Sequence, residues 1–229
     1  MLDTSTAIEA ATQDLLRRAI ETDYKGRIAL VSSFGTESAV LLHMIARIDR
    51  RLPVIFLDTG KLFPDTIAYR NALITRLHLS DVRSIRPDPA HLASFDPDGT
   101  LFARDPDFCC ALRKTMPLDA ALEGFDAWIS GRKRNQTETR ADIAAIETGP
   151  DGRTVLNPLG DWSREDIETY FDTHHLPRHP LESDGFASIG CFTCTRRIKP
   201  GEDARAGRWS GSGKTECGIF LSRPAEVPA

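Results

Sequence analysis

Long apolar runs are missing from this sequence. None approaches the roughly 18 residues that a membrane-spanning helix needs, and the opening MLDTSTAIEAATQDLLRRAIE places acids early, with no basic stretch ahead of an apolar one. Neither a membrane span nor a secretory leader is expected, and the reading is a cytoplasmic protein. Charge of one sign is missing too: 29 Lys and Arg stand against 33 Asp and Glu, a net charge of -4. No global field draws in nucleic acid, so any site for a polyanion must come from a local basic cluster. Cysteine is scarce. Five in 229 residues are too few for a disulfide scaffold, and in a reducing compartment thiols serve metals or chemistry. Repeats and low-complexity tracts are absent, and 41% hydrophobic content suffices for one ordinary core.

What is present alternates. RIALV (27–31) is a short apolar run ending in the polar SSFGTES, which leads into a helical pattern through Ala39, Val40, Leu41, Leu42, Met44 and Ile45. PVIFL (53–57) reads as a buried strand ending at Asp58-Thr59-Gly60, ahead of a helix from about Pro64 to Leu77. Strands at Val82–Ile85 and Ala127–Ser130 continue the series, and a helix follows in 161–171 with Ser163 as N-cap. Each crossover between parallel strands takes a dozen or more residues, as here, so the fold class is α/β: an open, mostly parallel sheet with helices on both faces. Ligands of such sheets bind beyond the carboxyl ends of the strands, where SSFGTES, LDTG and SGRKRNQTETR all fall. Residues 1–198 read as one α/β domain. The polar, Gly-rich KPGEDARAGRWSGSGKT opens a mobile C-terminal arm, 199–229.

SSFGTES combines backbone N–H groups and hydroxyls at a helix N-terminus, which makes an anion site or an ordinary capped turn. It lacks the Gly-Lys-Ser/Thr end of a Walker loop. The basic run at 131–136, with Arg140 beyond it, suits a phosphate or sulfate because guanidinium presents paired donors; it reads equally as a solvated loop. Cys191-x-x-Cys194 has the spacing of two ligands on one turn, and Cys109-Cys110 supplies two further thiols. Spacing alone leaves structural zinc and an iron-sulfur cluster both open, with unligated thiols as a third reading. Cys217 stands apart in a polar context with Arg205, Arg208 and Lys214 upstream, which favours a thiolate nucleophile over an idle thiol. His174, His175 and His179 read as surface residues or neighbours of ligands. The three tryptophans, 128, 162 and 209, read as packing residues.

In their joint order SSFGTES, LDTG, DFCCALRK, GRKRNQTETR, NPLGDW, SIGCFTCTRR, RAGRW and ECGI resemble the adenylyl-sulfate and phosphoadenylyl-sulfate reductases of assimilatory sulfate reduction, over roughly residues 27–220. The resemblance implies the PP-loop fold of adenine nucleotide α-hydrolases, and a [4Fe-4S] cluster on Cys109, Cys110, Cys191 and Cys194, making 1–198 a nucleotide- and cluster-binding domain. It implies Cys217 as the nucleophile that takes sulfonate from adenylyl sulfate, with thioredoxin or a glutaredoxin-like reductant releasing sulfite. Arg134, Arg205 and Arg208 would meet the phosphosulfate, while Ser33, Phe34, Gly35, Asp58, Thr59, Gly60 and Arg140 would shape the nucleotide pocket. Lys133 or Arg134 would be the basic residue beside the cluster. Self-association is left open. Two rival classes remain: an ATP-using PP-loop sulfurtransferase or ligase, which should carry the Lys and Asp that SSFGTES lacks, and a zinc-binding module without enzymatic activity. In one place the sequence departs from the family, which commonly has His after ECG-Leu/Ile where Phe220 stands here.

Overall fold

A computed structural model describes residues 4–149 and 151–220. In chain order the elements are α1 (Thr4–Arg18), β1 (Ile28–Val31), α2 (Ser38–Ala46), β2 (Val54–Leu57), α3 (Pro64–Leu77), β3 (Val82–Ile85), α4 (Pro89–Phe95), α5 (Leu101–Arg104), α6 (Pro106–Cys110), α7 (Met116–Ala121), β4 (Ala127–Ile129), β5 (Ile146–Thr148), β6 (Thr154–Leu156), α8 (Arg164–Thr173) and α9 (Pro180–Ser183). The expected strands and helices are all found. The hairpin of β5 and β6 was not expected, because three-residue strands are too short to show a period. Among the described residues, no helix is long and apolar enough to cross a membrane.

The strands form one sheet in the order β3-β2-β1-β4-β6-β5, parallel except for β5. β1, β2 and β4 are short apolar runs because both of their faces are covered. On one face Leu16, Leu42, Met44, Leu73, Trp162 and Phe171 pack from α1, α2, α3 and the α8 region. On the other, Ala29, Ile55, Trp128 and Val155 meet Leu118 and Leu122 near α7, with Ile219 and Phe220 of the arm packed against them. After β1 the chain builds outward through β2 and β3, then returns to place β4 on the other side of β1. That reversal opens a crevice at the carboxyl ends of β1 and β4, between SSFGTES and SGRKR.

One local irregularity shapes the site. α6 runs into α7 through a π-helical turn, Ala111–Thr115, in which Met116 N–H bonds to Ala111 O, and the next residue, Pro117, has no N–H to donate. The continuous 106–121 helix thus carries Cys109, Cys110, Arg113 and Lys114 through one widened turn.

Candidate active site

The crevice is a cavity of about 260 Å³. Its floor is the loop after β1. Ser32 Oγ accepts from Phe34 N–H at 3.2 Å and Ser38 Oγ from Gly35 N–H at 2.9 Å, so both hydroxyls fold back to brace the turn. Phe34 takes φ 48° and is fully buried, its ring edge-on to Phe56 at 5.4 Å. Its side chain anchors the loop in the core, and Ser33, Gly35 and Thr36 are left facing the cavity. In the loop after β2, only Thr59 of the three expected residues lines the cavity. Asp58 instead accepts from Gly60 N–H at 3.2 Å and from Arg86 Nε at 2.9 Å, which shapes the turn. Thr59 reaches the thiols: its Oγ1 is hydrogen-bonded to Cys191 Sγ at 3.3 Å, and its carbonyl accepts from Arg113 Nη1 at 2.8 Å.

The basic loop after β4 divides. Arg132 turns inward, donates to Asn157 Oδ1 at 3.2 Å and pairs with Glu147; burial lowers its pKa to about 10. Lys133 is buried against Glu37 of the phosphate loop, and burial pulls its pKa down against the opposing pull of Glu37. Arg134 lies outside the cavity lining, donating to Ile143 O at 2.8 Å and pairing with Asp161. Arg140 lines the cavity and grips Glu216 through two bonds of 2.7 Å.

Cys109, Cys110, Cys191 and Cys194 line a second, smaller cavity with Lys61, Arg113, Lys114 and Arg208. α6 supplies the first two thiols; Cys191 caps a 3-10 turn, Phe192–Cys194, that ends in the fourth. Phe192 N–H bonds to Lys61 O at 2.8 Å and Trp209 N–H to Cys194 O at 3.0 Å, so the CxxC turn is stitched to the nucleotide loop and to the arm. Burial, then the charge of Cys110, pushes Cys109 up to about 11, and burial raises Cys110 as well. Thiols crowded this way keep their protons unless a cationic group replaces them. Among the described residues, no three His, Cys, Asp or Glu side chains surround a single ion position.

Two cations line both cavities, Lys114 and Arg208. Burial pulls the Lys114 ammonium down, but Cys191, Cys217 and Cys110 hold it above its ordinary value. Arg208 is pulled down by burial against the same thiols; its Nη1 donates to Ile189 O at 3.2 Å and its Nε is buried with no partner among the described residues. Gly190 makes room for it, since a Cβ there would stand 2.6 Å from Arg208 Cζ. Cys217 is half-buried, and the adjoining Gly218 packs by Thr115 of the π-turn. Arg205 donates to Thr215 O at 3.2 Å, and burial with Arg140 nearby lowers its pKa to about 10.

Of the expected residues, Ser33, Gly35, Thr59, Arg140, Arg205 and Arg208 thus share one cavity, whereas Phe34, Asp58, Gly60 and Arg134 support it from outside. The basic residues lining the four-thiol cavity are Lys61, Arg113, Lys114 and Arg208, and neither Lys133 nor Arg134 is among them. Lys114 had a readable signal: it is four residues after Cys110 in a helical segment, and so on the same face. His179 is not a surface residue. It is buried, with Nε2 3.1 Å from Thr66 Oγ1 and Nδ1 accepting from Leu181 N–H at 3.2 Å.

A loop of helix N-terminal amides and hydroxyls at the switch point of a parallel sheet, faced by several cations, defines a nucleotide-binding fold of PP-loop type. The phosphoadenosine phosphosulfate reductase domain matches residues 27–197. The adenosine 5'-phosphosulfate reductase of Mesorhizobium japonicum is 49% identical over 91% of this chain and 82% of its own length, and that of Streptomyces coelicolor 42% identical over 92% and 89%. Among solved structures, the phosphoadenylyl-sulfate reductase of Candida auris, in a phosphate complex, superposes with a TM-score of 0.70 at 23% identity, over 86% of this chain and 98% of its own, which shows the shared fold. The chain belongs to the phosphoadenosine phosphosulfate reductase family and is an oxidoreductase.

Proposed function

We propose that this protein reduces adenylyl sulfate to sulfite and AMP in the cytoplasm, with a dithiol protein of the thioredoxin type as electron donor. The observation that carries the reading is the meeting, around one cavity, of the phosphate loop and five cations, Lys114, Arg132, Arg140, Arg205 and Arg208, with Cys217 two residues before Ile219, which also lines it.

The chemistry follows from charge. A thiolate must approach a sulfur whose oxygens are already negative, so fixed cations have to offset the repulsion as the bond forms. Lys114 and Arg208 serve both ends: their charges interact with the Cys217 thiolate and they line the nucleotide cavity. Cys217 Sγ bonds to the sulfate sulfur, the bond from that sulfur to the bridging oxygen breaks, and AMP leaves with the electron pair. A reductant thiolate then attacks Cys217 Sγ, expelling sulfite, and its second thiol closes a disulfide that frees Cys217. The short stretch carrying Cys217 acts as the delivering segment, opening once for the nucleotide and again for the reductant, while Arg205 and Arg208 stay with the cavity.

The chemistry of the donor set suits a [4Fe-4S] cluster: four thiols on one cavity, with cations beside them to balance an anionic group. Cys109, Cys110, Cys191 and Cys194 would hold it, and when bound it would supply fixed charge near the sulfate while leaving no ligand position for substrate. The test is sulfite release, with thioredoxin present, from adenylyl sulfate and from its 3′-phosphorylated form. A clear preference for the first is expected, and no sulfite from either overturns the reading. Cys217→Ser should abolish sulfite formation and the sulfonate adduct while keeping iron and fold, because a serine hydroxyl is a far weaker nucleophile near neutral pH.

A further inference from the structure

Cys217 lies between two residues that are tied down. On its N-terminal side Glu216 is clamped by Arg140 at 2.7 Å twice and by Arg205 at 3.8 Å. On its C-terminal side Gly218, at φ +87°, turns the chain, and Ile219 and Phe220 reach the apolar sheet face beside α7. There the Phe220 ring stacks on Trp128, centroids 5.1 Å apart and planes 21° from parallel, and the Arg132 guanidinium lies over it at 3.7 Å from its centroid. Trp128 is in β4, and Arg132 is held by Asn157 and Glu147 from the edge of the same sheet. Both partners of the ring are therefore fixed to the rigid part of the molecule. Phe220 also lines the nucleotide cavity, as do Trp128 and Arg132.

An ion pair alone tethers an arm loosely, since its energy varies slowly with distance. An aromatic ring seated between a tryptophan and a guanidinium has one preferred depth and orientation. Resting on the reading of Cys217 as the nucleophile, we infer that Phe220 is a positioning residue for the sulfonate transfer: its seat on Trp128 and Arg132 fixes where the Cys217 thiolate meets the substrate. Phe220 acts three residues from the reacting atom and touches no bond that forms or breaks.

The test uses the iron-loaded protein with Phe220→Ala, Phe220→Leu and Phe220→Tyr. Leu keeps apolar volume without a ring, and Tyr keeps the ring. Two rates are followed on the peptide containing Cys217: sulfonate gain from adenylyl sulfate without reductant, and alkylation by a small neutral electrophile. Misplacing a nucleophile by about an ångström costs on the order of 100-fold, so sulfonate transfer should fall roughly 10- to 100-fold in the Ala and Leu variants, with KM moving less than about threefold. Alkylation should rise in the same variants because the arm is released, and Tyr should restore both rates. A general loss of structure would also release iron and open Cys109, Cys110, Cys191 and Cys194 to alkylation, so iron content and labelling of those four are followed alongside and should stay at the wild-type level. Sulfonate transfer at the wild-type rate in Phe220→Ala and Phe220→Leu, or alkylation unchanged in them, overturns the assignment. If the wild type itself gains no sulfonate, the reading of the activity fails, and the alkylation rates still decide whether Phe220 anchors the arm.

Discussion

Arg113 ties the thiol-bearing helix to both its neighbours, so replacing it with Met tests how the two cavities are held together. Its guanidinium pairs with Asp96, whose side chain is fully buried, and donates to the Thr59 carbonyl at 2.8 Å. In the Arg113→Met variant, Asp96 keeps the Leu101 N–H at 2.8 Å and the charge of Lys61 to offset a buried charge. Breaking a buried pair from one side costs ~3–5 kcal/mol. The Arg113 Nε already lies buried without a partner among the described residues, so the native arrangement is imperfect and the lower end of that range is expected. The cost should depend on pH. In the native protein burial pushes Asp96 up, but Arg113 and the Leu101 N–H hold it below its ordinary value, so its contribution is present above about pH 4 and lost only as pH falls below that. Without Arg113 burial wins: the folded-state pKa rises above the unfolded one, and the variant's deficit grows with pH. Urea unfolding at pH 7 and at the lowest pH, near 4, at which both proteins stay folded, with iron content alongside, reads this directly. The deficit should shrink at the lower pH, and Asp96→Asn with Arg113→Met should recover at least half, because Asn still accepts from Leu101 without a charge. Equal deficits at both pH values, or a double variant no more stable than the single one, would refute the reasoning.

Cys191→Ser should lose iron and visible colour and loosen the 191–209 segment, since ligation and the Cys194–Trp209 backbone bond hold it; full iron in the variant would sink the ligand assignment. Glu216→Gln should lower KM several-fold, most at low salt, because the carboxylate now neutralising Arg140 and Arg205 competes with an anionic substrate. A raised KM would show that Glu216 helps substrate bind. Burial holds His179 down to about 4 from an ordinary 6.5. Its neutral form therefore favours folding above pH 6.5, and this share is lost as pH falls towards 4, reaching ~3 kcal/mol. His179→Gln should flatten that part of the stability profile, and parallel profiles for the two proteins would count against it.

The parallel sheet was legible because each of its central strands is an uninterrupted apolar run, and because the spacing between runs admits only helical crossovers. Proline at the start of α3 and the Ser163 cap of α8 marked helix starts that the structure keeps. The hairpin of β5 and β6 was hidden, since three residues per strand carry no readable alternation. Strand order explains why the loops after β1, β2 and β4 converge, and so the sequence alone placed SSFGTES, LDTG and the basic loop at one crevice. It also set apart Cys217 from the four paired thiols, because ligand pairs and a lone thiol differ in spacing.

Side-chain direction within those loops was decided elsewhere. Arg132 and Arg134 are two residues apart in one basic run, yet Arg132 faces the cavity and Arg134 does not, because Asn157, Glu147 and Phe220 draw in the one while Asp161 and the Ile143 carbonyl hold the other. Phe34 was expected in the pocket, but φ 48° turns its ring into the core. Lys114 and Arg208 come together from a helix and a segment 94 positions later, and the glycine at 190 admits the second. The arm's seat pairs Phe220 with Trp128, 92 positions earlier, and Glu216 with Arg140, 76 earlier. Local pattern fixes the backbone because strand and helix periods extend over a few residues; which cation faces the substrate depends on counter-charges and packing partners brought from far along the chain, and those exist only once the sheet has closed.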